Sequence, residues 1–179
     1  MPPGYRIRAR REEDDAALLG VENRAAALFR DHGYPALADN PLADVGALRR
    51  LFAGNRVWTA ADSEGDAPVG CAVAGPLAGF LHLHELSVDP VHGRRGVGAA
   101  LVVAVVEAAR NAGLEGVSLS TFRFVPFNRP FYERLGFCEL APGDAPPALR
   151  DAFLREVPQG IDMKDRLLMV RRIPDGNAS

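Results

Sequence analysis

Apolar and polar residues alternate over 5–10 (YRIRAR), the period of a half-buried strand. The pattern then lengthens. Residues 12–30 open acidic and place Leu18, Val21, Ala25, Leu28 and Phe29 at helical spacing. Gly33, Pro35 and Pro41 break that helix, and 44–52 forms a second, shorter one. Residues 56–61 and 68–74 are apolar strands joined by DSEGDA, which has the chemistry of a hairpin. Another strand covers 80–88 and stops at Asp89-Pro90. Residues 98–111 are apolar on nearly all sides, which predicts a helix buried against a sheet and capped by Gly113. A strand over 116–122, a short helix over 129–135, a strand over 137–140, a helix over 146–156 and a strand over 167–173 complete the pattern. The order predicts an α/β (α+β) fold, a mixed sheet with helices on both faces. One domain over 1–179 is expected, with a helical insertion at 142–163 and a frayed tail at 174–179.

Between strand 80–88 and the buried helix lies HGRRGVG, with arginines and glycines at a helix mouth. The first amides of a helix lack partners and the dipole there is positive, so this turn suits an anion. Gly96 and Gly98 permit close approach to the backbone, and Arg94 and Arg95 add charge. An ordinary β–α turn carrying surface arginines is the other reading. The turn is neither G-x-x-x-x-G-K-[ST] nor G-x-G-x-x-G, so neither a P-loop nor a dinucleotide fingerprint applies.

On strand 80–88, alternation sets His82 and His84 on one face and Leu81, Leu83 and Glu85 on the other. Imidazole titrates near ~6.5 and accepts a proton at neutral pH. Core histidines with satisfied hydrogen bonds are the bland alternative. A zinc site lacks a third ligand in the sequence, because His32 and His92 have no metal-like spacing to the pair, and no metal is expected. Cys71 and Cys138 lie far apart among apolar residues and are expected to be small core side chains.

The net charge of −2 argues against a nucleic-acid partner. Neither a signal-peptide core nor an apolar run long enough for a bilayer is seen, so a cytoplasmic protein without a membrane partner is expected. Lys164 is the only lysine among many arginines and alanines, which suggests GC-rich codons and a bacterial host. Nothing in the composition speaks against a homodimer.

Two motifs together, HELSVDPVHGRRGVGAALV and NRPFYERLGF, resemble the GNAT acetyltransferase superfamily, and the element order agrees over 5–173. The family's first motif is [QR]-x-x-G-x-[GA]; here its first position is Gly93, so a side-chain contact from that position is not carried over. The resemblance implies a mostly antiparallel central sheet of about seven strands and acetyl-CoA as co-substrate. It implies that Gly93, Arg94, Arg95, Gly96, Val97, Gly98 and Ala99 hold the pyrophosphate of coenzyme A. Leu86, Ser87 and Val88 would pair with the pantetheine amides. Asn128, near the short helix, would touch coenzyme A, with helix N-capping as its bland role. HLHELSV and PFYERLGF further resemble the serotonin (arylalkylamine) N-acetyltransferases. That implies proton removal from the amine by His82 and His84 and protonation of the leaving thiolate by Tyr132. Glu85 is the competing base, since other GNAT enzymes use a strand carboxylate there. The acceptor is a small-molecule or peptide amine that no residue pattern specifies. The segments 31–40 and 142–163 are expected to shape its site, while the aromatics of FRFVPFNRPFY are expected in the core. A non-catalytic coenzyme-A-binding module of the same fold is the alternative function.

Overall fold

The computed structural model describes residues 1–174, so the expected frayed tail falls, apart from Pro174, outside the described residues. Seven strands form a sheet in the order β1-β2-β3-β4-β5-β7-β6. They are β1 (Tyr5–Ala9), β2 (Arg56–Asp62), β3 (Pro68–Leu77), β4 (Phe80–Val88), β5 (Gly116–Phe122), β6 (Cys138–Leu140) and β7 (Arg166–Arg172). The helices are α1 (Asp15–Ala27), α2 (Pro35–Asp39), α3 (Val45–Phe52), α4 (Val97–Asn111), α5 (Arg129–Arg134) and α6 (Pro147–Arg155). The sheet is open and mostly antiparallel, as expected; β4 and β5 pair in parallel. No helix among the described residues is long and apolar enough to cross a membrane.

The chain divides into two compact units, and the division falls within β3, β4 and α4. The first comprises residues 1–74 and 85–104. In it β1 pairs with β2, and β2 with β3, with a register shift between Ala60 and Ala61. Its core joins Leu18 of α1 and Leu48 and Phe52 of α3 to Val57, Cys71 and Val73 of the sheet. The acidic start of α1 is tied to β1: Arg8 grips Asp14 at 2.6 Å and Arg10 grips Asp15 at 2.6 Å. Asp44 caps α3 by accepting from the Ala47 amide at 2.7 Å. A side chain is excluded at Gly70, where a Cβ would stand 2.8 Å from the Ser87 carbonyl oxygen.

The second unit takes residues 75–84 and those from 105 onward. Its ladder runs Phe80–Leu83 against 116–119 in parallel, then β5 against β7 and β7 against β6, both antiparallel. The expected helical insertion is α6, flanked by 3-10 turns at Pro142–Asp144 and Met163–Asp165. α6 buries Leu149 and Phe153 among Phe80, Leu168 and Val170.

Three expectations are corrected. The segment after α1 contains a short helix, α2, because Pro35 sits at a first-turn position, where a missing N–H costs nothing. Cys138 is exposed, whereas Cys71 is buried as expected. Phe124 and Phe127 are exposed although the core was expected for them; Phe122 and Tyr132 are buried.

Candidate active site

In the first unit the arginine–glycine turn is built as its composition dictates. A 3-10 turn at Pro90–His92 follows β4, with the Asp89 carboxylate accepting from the Val91 amide at 3.2 Å. Arg94 (φ +59°) and Gly96 (φ +82°) then take left-handed conformations, which reverse the chain into α4. The helical ladder opens with Ala100 N–H donating to the Gly96 carbonyl at 3.0 Å. The amides of Val97, Gly98 and Ala99 therefore precede the first helical bond and remain available to an anion. Arg95 donates to the Tyr5 hydroxyl at 3.3 Å, and that hydroxyl lies 2.9 Å from His92 Nδ1.

Leu86, Ser87 and Val88 lie on the last part of β4, beyond the pairs it makes with β5, which end at Leu83. The Leu86 amide already donates to its neighbour, the Glu85 carboxylate, at 3.0 Å, and Ser87 Oγ donates to the same oxygen at 3.0 Å. Behind them stands Glu22 of α1, a residue the sequence reading did not single out. Burial, together with the charge of Glu85, pushes its carboxyl up to about 8. Its Oε2 is buried with no hydrogen-bond partner among the described residues. Burial also pushes the Cys71 thiol well above its ordinary value, which suits an inert core cysteine.

The second unit brings the two histidines together around a residue that local sequence pattern did not reveal. His82 is wholly buried, its Nε2 3.1 Å from both carboxylate oxygens of Glu156 and its Nδ1 2.8 Å from Ser118 Oγ. His84 Nδ1 lies 3.1 Å from Glu156 Oε1, with 30% of its side chain exposed. The rings meet edge to face at 4.9 Å. Burial acts to raise the Glu156 carboxyl, but hydrogen bonds from His82 and His84 outweigh it and hold the group well below the usual carboxylate range.

An ionised carboxylate only accepts, so both nitrogens facing Glu156 carry hydrogen. That assignment rests on the bonding network. Whenever His82 is neutral, Ser118 donates to its Nδ1, and whenever His84 is neutral, its lone pair lies on Nε2. The arrangement is a carboxylate that orients an exposed imidazole, the geometry of an activated base. The expectation that no third ligand accompanies the histidines does not hold, because Glu156 completes a three-donor group. A helix C-terminus disfavours negative charge, and Glu156 is the C-cap of α6. That local anomaly was the one signal in the sequence.

Tyr132 sits on α5, buried, edge-on to Phe131 and Phe137 at 5.0 and 5.6 Å. Asn128 occupies the N-cap position of α5, but its side chain does not cap; it donates to Thr121 Oγ1 at 2.8 Å. Its backbone carbonyl instead receives the Tyr132 amide at 3.1 Å.

Residues 21–137 match the family model described as the Acetyltransferase (GNAT) family. Among solved structures, the chain is similar to the PaiA N-acetyltransferase of Thermoplasma acidophilum in complex with coenzyme A. That likeness has a TM-score of 0.72 at 14% identity, covering 94% of this chain and 99% of that one. It is also similar to the ribosomal-protein-S18-alanine N-acetyltransferase of Escherichia coli, with a TM-score of 0.66 at 16% identity over 98% and 99% of the two chains. Against the N-acetylglutamate synthase of Neisseria gonorrhoeae, complexed with coenzyme A and N-acetyl-glutamate, the TM-score is 0.65 at 15% identity. There 96% of this chain covers 35% of that one.

Proposed function

Because the chain belongs to the GNAT acetyltransferase family, we propose that it is a single catalytic domain that moves the acetyl group of acetyl-CoA directly to a primary amine. The observation that carries this reading is the Glu156 carboxylate joined to both histidines, which leaves His84 Nε2 as a proton acceptor with access to solvent. The left-handed turn and the amides of Val97, Gly98 and Ala99, which precede the first helical bond, fit a pyrophosphate, with charge from Arg94 and Arg95. Gly93 shapes the turn through its amide, which donates to the Pro90 carbonyl at 3.0 Å. The backbone of Leu86, Ser87 and Val88 would take the pantetheine arm once Glu85 releases the Leu86 amide. Asn128 acts through α5, whose first amides it receives on its carbonyl, rather than as a direct ligand.

In the reaction, His84 Nε2 removes the proton from the amine as its nitrogen bonds to the thioester carbon. Glu156 stabilises the imidazolium that results, and His82, locked by Ser118, holds Glu156 in place. The Tyr132 hydroxyl gives its proton to the departing thiolate as the C–S bond breaks, and the proton held by His84 passes to solvent and restores the phenol. Products are the acetamide and coenzyme A thiol, so protons balance. Glu85 is the weaker base on this reading, because its carboxylate is occupied by the Leu86 amide and the Ser87 hydroxyl.

Release of coenzyme A thiol from acetyl-CoA across a panel of small and peptide amines tests the proposal. His84→Gln is expected to cost about 10²-fold or more in turnover, and Glu85→Gln far less. Turnover that survives His84→Gln but collapses in Glu85→Gln would move the base to Glu85. Tight acetyl-CoA binding with no thiol released on any amine would leave a non-catalytic coenzyme-A-binding module.

A further inference from the structure

We propose that His82, His84 and Glu156 also form a binding site for a divalent d-block cation such as Zn²⁺, and that occupancy of this site switches the proton acceptor off. The ligand atoms are His82 Nε2, His84 Nδ1 and Glu156 Oε1, all within 4.8 Å of one another. Both histidine nitrogens stand 3.1 Å from Oε1. Tetrahedral zinc with bonds of about 2.0–2.1 Å requires ligand atoms roughly 3.3 Å apart, so two of the three edges are already near their final length. Two imidazoles and one carboxylate are a borderline donor set that suits zinc over calcium or magnesium, which prefer oxygen.

Three features raise the cluster above a chance meeting of polar side chains. The histidines come from alternate positions of one strand, so their separation is set by extended backbone, and the β4–β5 ladder holds His82 directly opposite Ser118. His82 has an outer partner, since Ser118 Oγ at 2.8 Å fixes its ring through the nitrogen that does not face the site. His84 and Glu156 keep 30% and 28% of their side chains exposed, which leaves an approach for the ion and for a water in the remaining position.

The exchange balances without an added reagent. In the metal-free cluster with both imidazoles neutral, hydrogen sits on His82 Nε2 and His84 Nδ1, the nitrogens that face the Glu156 carboxylate. When the cation takes those positions, each imidazole stays neutral and carries its hydrogen on the opposite ring nitrogen instead. His82 Nδ1 then donates to Ser118 instead of accepting from it, which a hydroxyl permits. His84 Nε2 acquires the hydrogen and loses its lone pair. The nitrogen proposed to accept the amine's proton is thus blocked whenever the metal is bound. This last step rests on the proposed function, whereas cation binding does not.

The test separates the two. The full chain, stripped with a chelator and dialysed, is titrated with Zn²⁺ by calorimetry and with Co²⁺ by visible absorption, without acetyl-CoA. One ion per chain is expected, with intense Co²⁺ bands of a four-coordinate site. His84→Gln and Glu156→Gln should each weaken binding at least tenfold, while Cys138→Ser, which removes the exposed thiol, should leave it unchanged. His84 is partly exposed, so its variant stays informative if changes nearer the buried His82 fail to fold. Binding that is absent, or is lost only with Cys138→Ser, overturns the site. In the acetyl-transfer assay Zn²⁺ should inhibit over the same concentration range and a chelator should restore the rate. Metal bound with no effect on an active enzyme would refute the switch alone, and a chain inactive on every amine would leave the metal site standing.

Discussion

Glu22→Gln is expected to stabilise the protein, and by more as the pH rises. In the unfolded chain a glutamate titrates near ~4.3. In the fold the Glu22 carboxyl is raised to about 8, by burial first and by the charge of Glu85 second. Between those values the unfolded chain gives up a proton that the folded chain retains. Stability therefore falls with pH across the window, by at most about 1.4 kcal/mol per unit for one proton. None of it is lost below the unfolded value, and all of it is lost once the pH passes the folded one. From pH 5 to pH 7 the ceiling is about 2.7 kcal/mol. For a chain of this length the ceiling corresponds to about 5–10 °C in melting temperature. Gln cannot ionise, so the variant lacks this slope. Urea unfolding of both proteins at pH 5, 6 and 7, at one ionic strength, isolates the difference. Any cost of fitting an amide beside Ser87 appears as a constant offset and does not affect the slope. Parallel stability curves for the two proteins would refute a raised Glu22.

Tyr132→Phe keeps the edge-on packing against Phe131 and Phe137 and removes only the hydroxyl. Turnover is expected to fall by about 10²–10⁴-fold with acetyl-CoA affinity nearly unchanged, and a loss below threefold with chemistry rate-limiting would return Tyr132 to the core. Gly98→Leu, in the first turn of α4, should raise the acetyl-CoA dissociation constant at least about tenfold in a protein that still folds; unchanged calorimetric affinity would remove the pyrophosphate assignment. Gly116→Ala would place a Cβ 2.1 Å from the Arg171 carbonyl oxygen. It should cost about 1–3 kcal/mol or more in urea unfolding, and a variant as stable as the wild type would contradict the close β5–β7 approach.

The strands and long helices were legible because each carries its period. β4 and β5 were expected over 80–88 and 116–122 and lie there, bounded by Asp89-Pro90 and by Gly113 with Gly116. The turn before α4 was legible as a turn for a related reason: glycines before an apolar helix permit a reversal, and Arg94 and Gly96 take left-handed conformations there. Short elements were harder. α2 opens with a proline that reads equally as helix breaker or first-turn residue, and only the observed fold decides between them. The side chain of Asn128 took Thr121 in place of the helix amides, a choice set by a neighbouring strand rather than by local sequence. An aromatic-rich run does not by itself say on which side of a loop a ring falls, and Phe124 and Phe127 lie on the exposed side.

Glu156 shows why a site is less legible than a fold. It lies 74 residues from His82, at the end of a helix whose own pattern accounts only for Leu149 and Phe153. Pattern rules read spacings of a few residues, whereas this contact depends on how the inserted helix packs on the sheet. The position is still not arbitrary. A carboxylate at a helix C-terminus is disfavoured by up to roughly 1 kcal/mol, and partial burial adds a larger cost. Hydrogen bonds from the two histidines, with the charge His82 carries when protonated, offset both and hold the carboxyl well below its usual range. The same balance makes the histidines dependent on it. Without the carboxylate, the buried His82 Nε2 would face the interior with no acceptor, and His84 would lose the bond that sets its ring. A charge placed against the local helix dipole, yet held by distant imidazoles, is therefore better understood as part of the histidine cluster than as an element of α6.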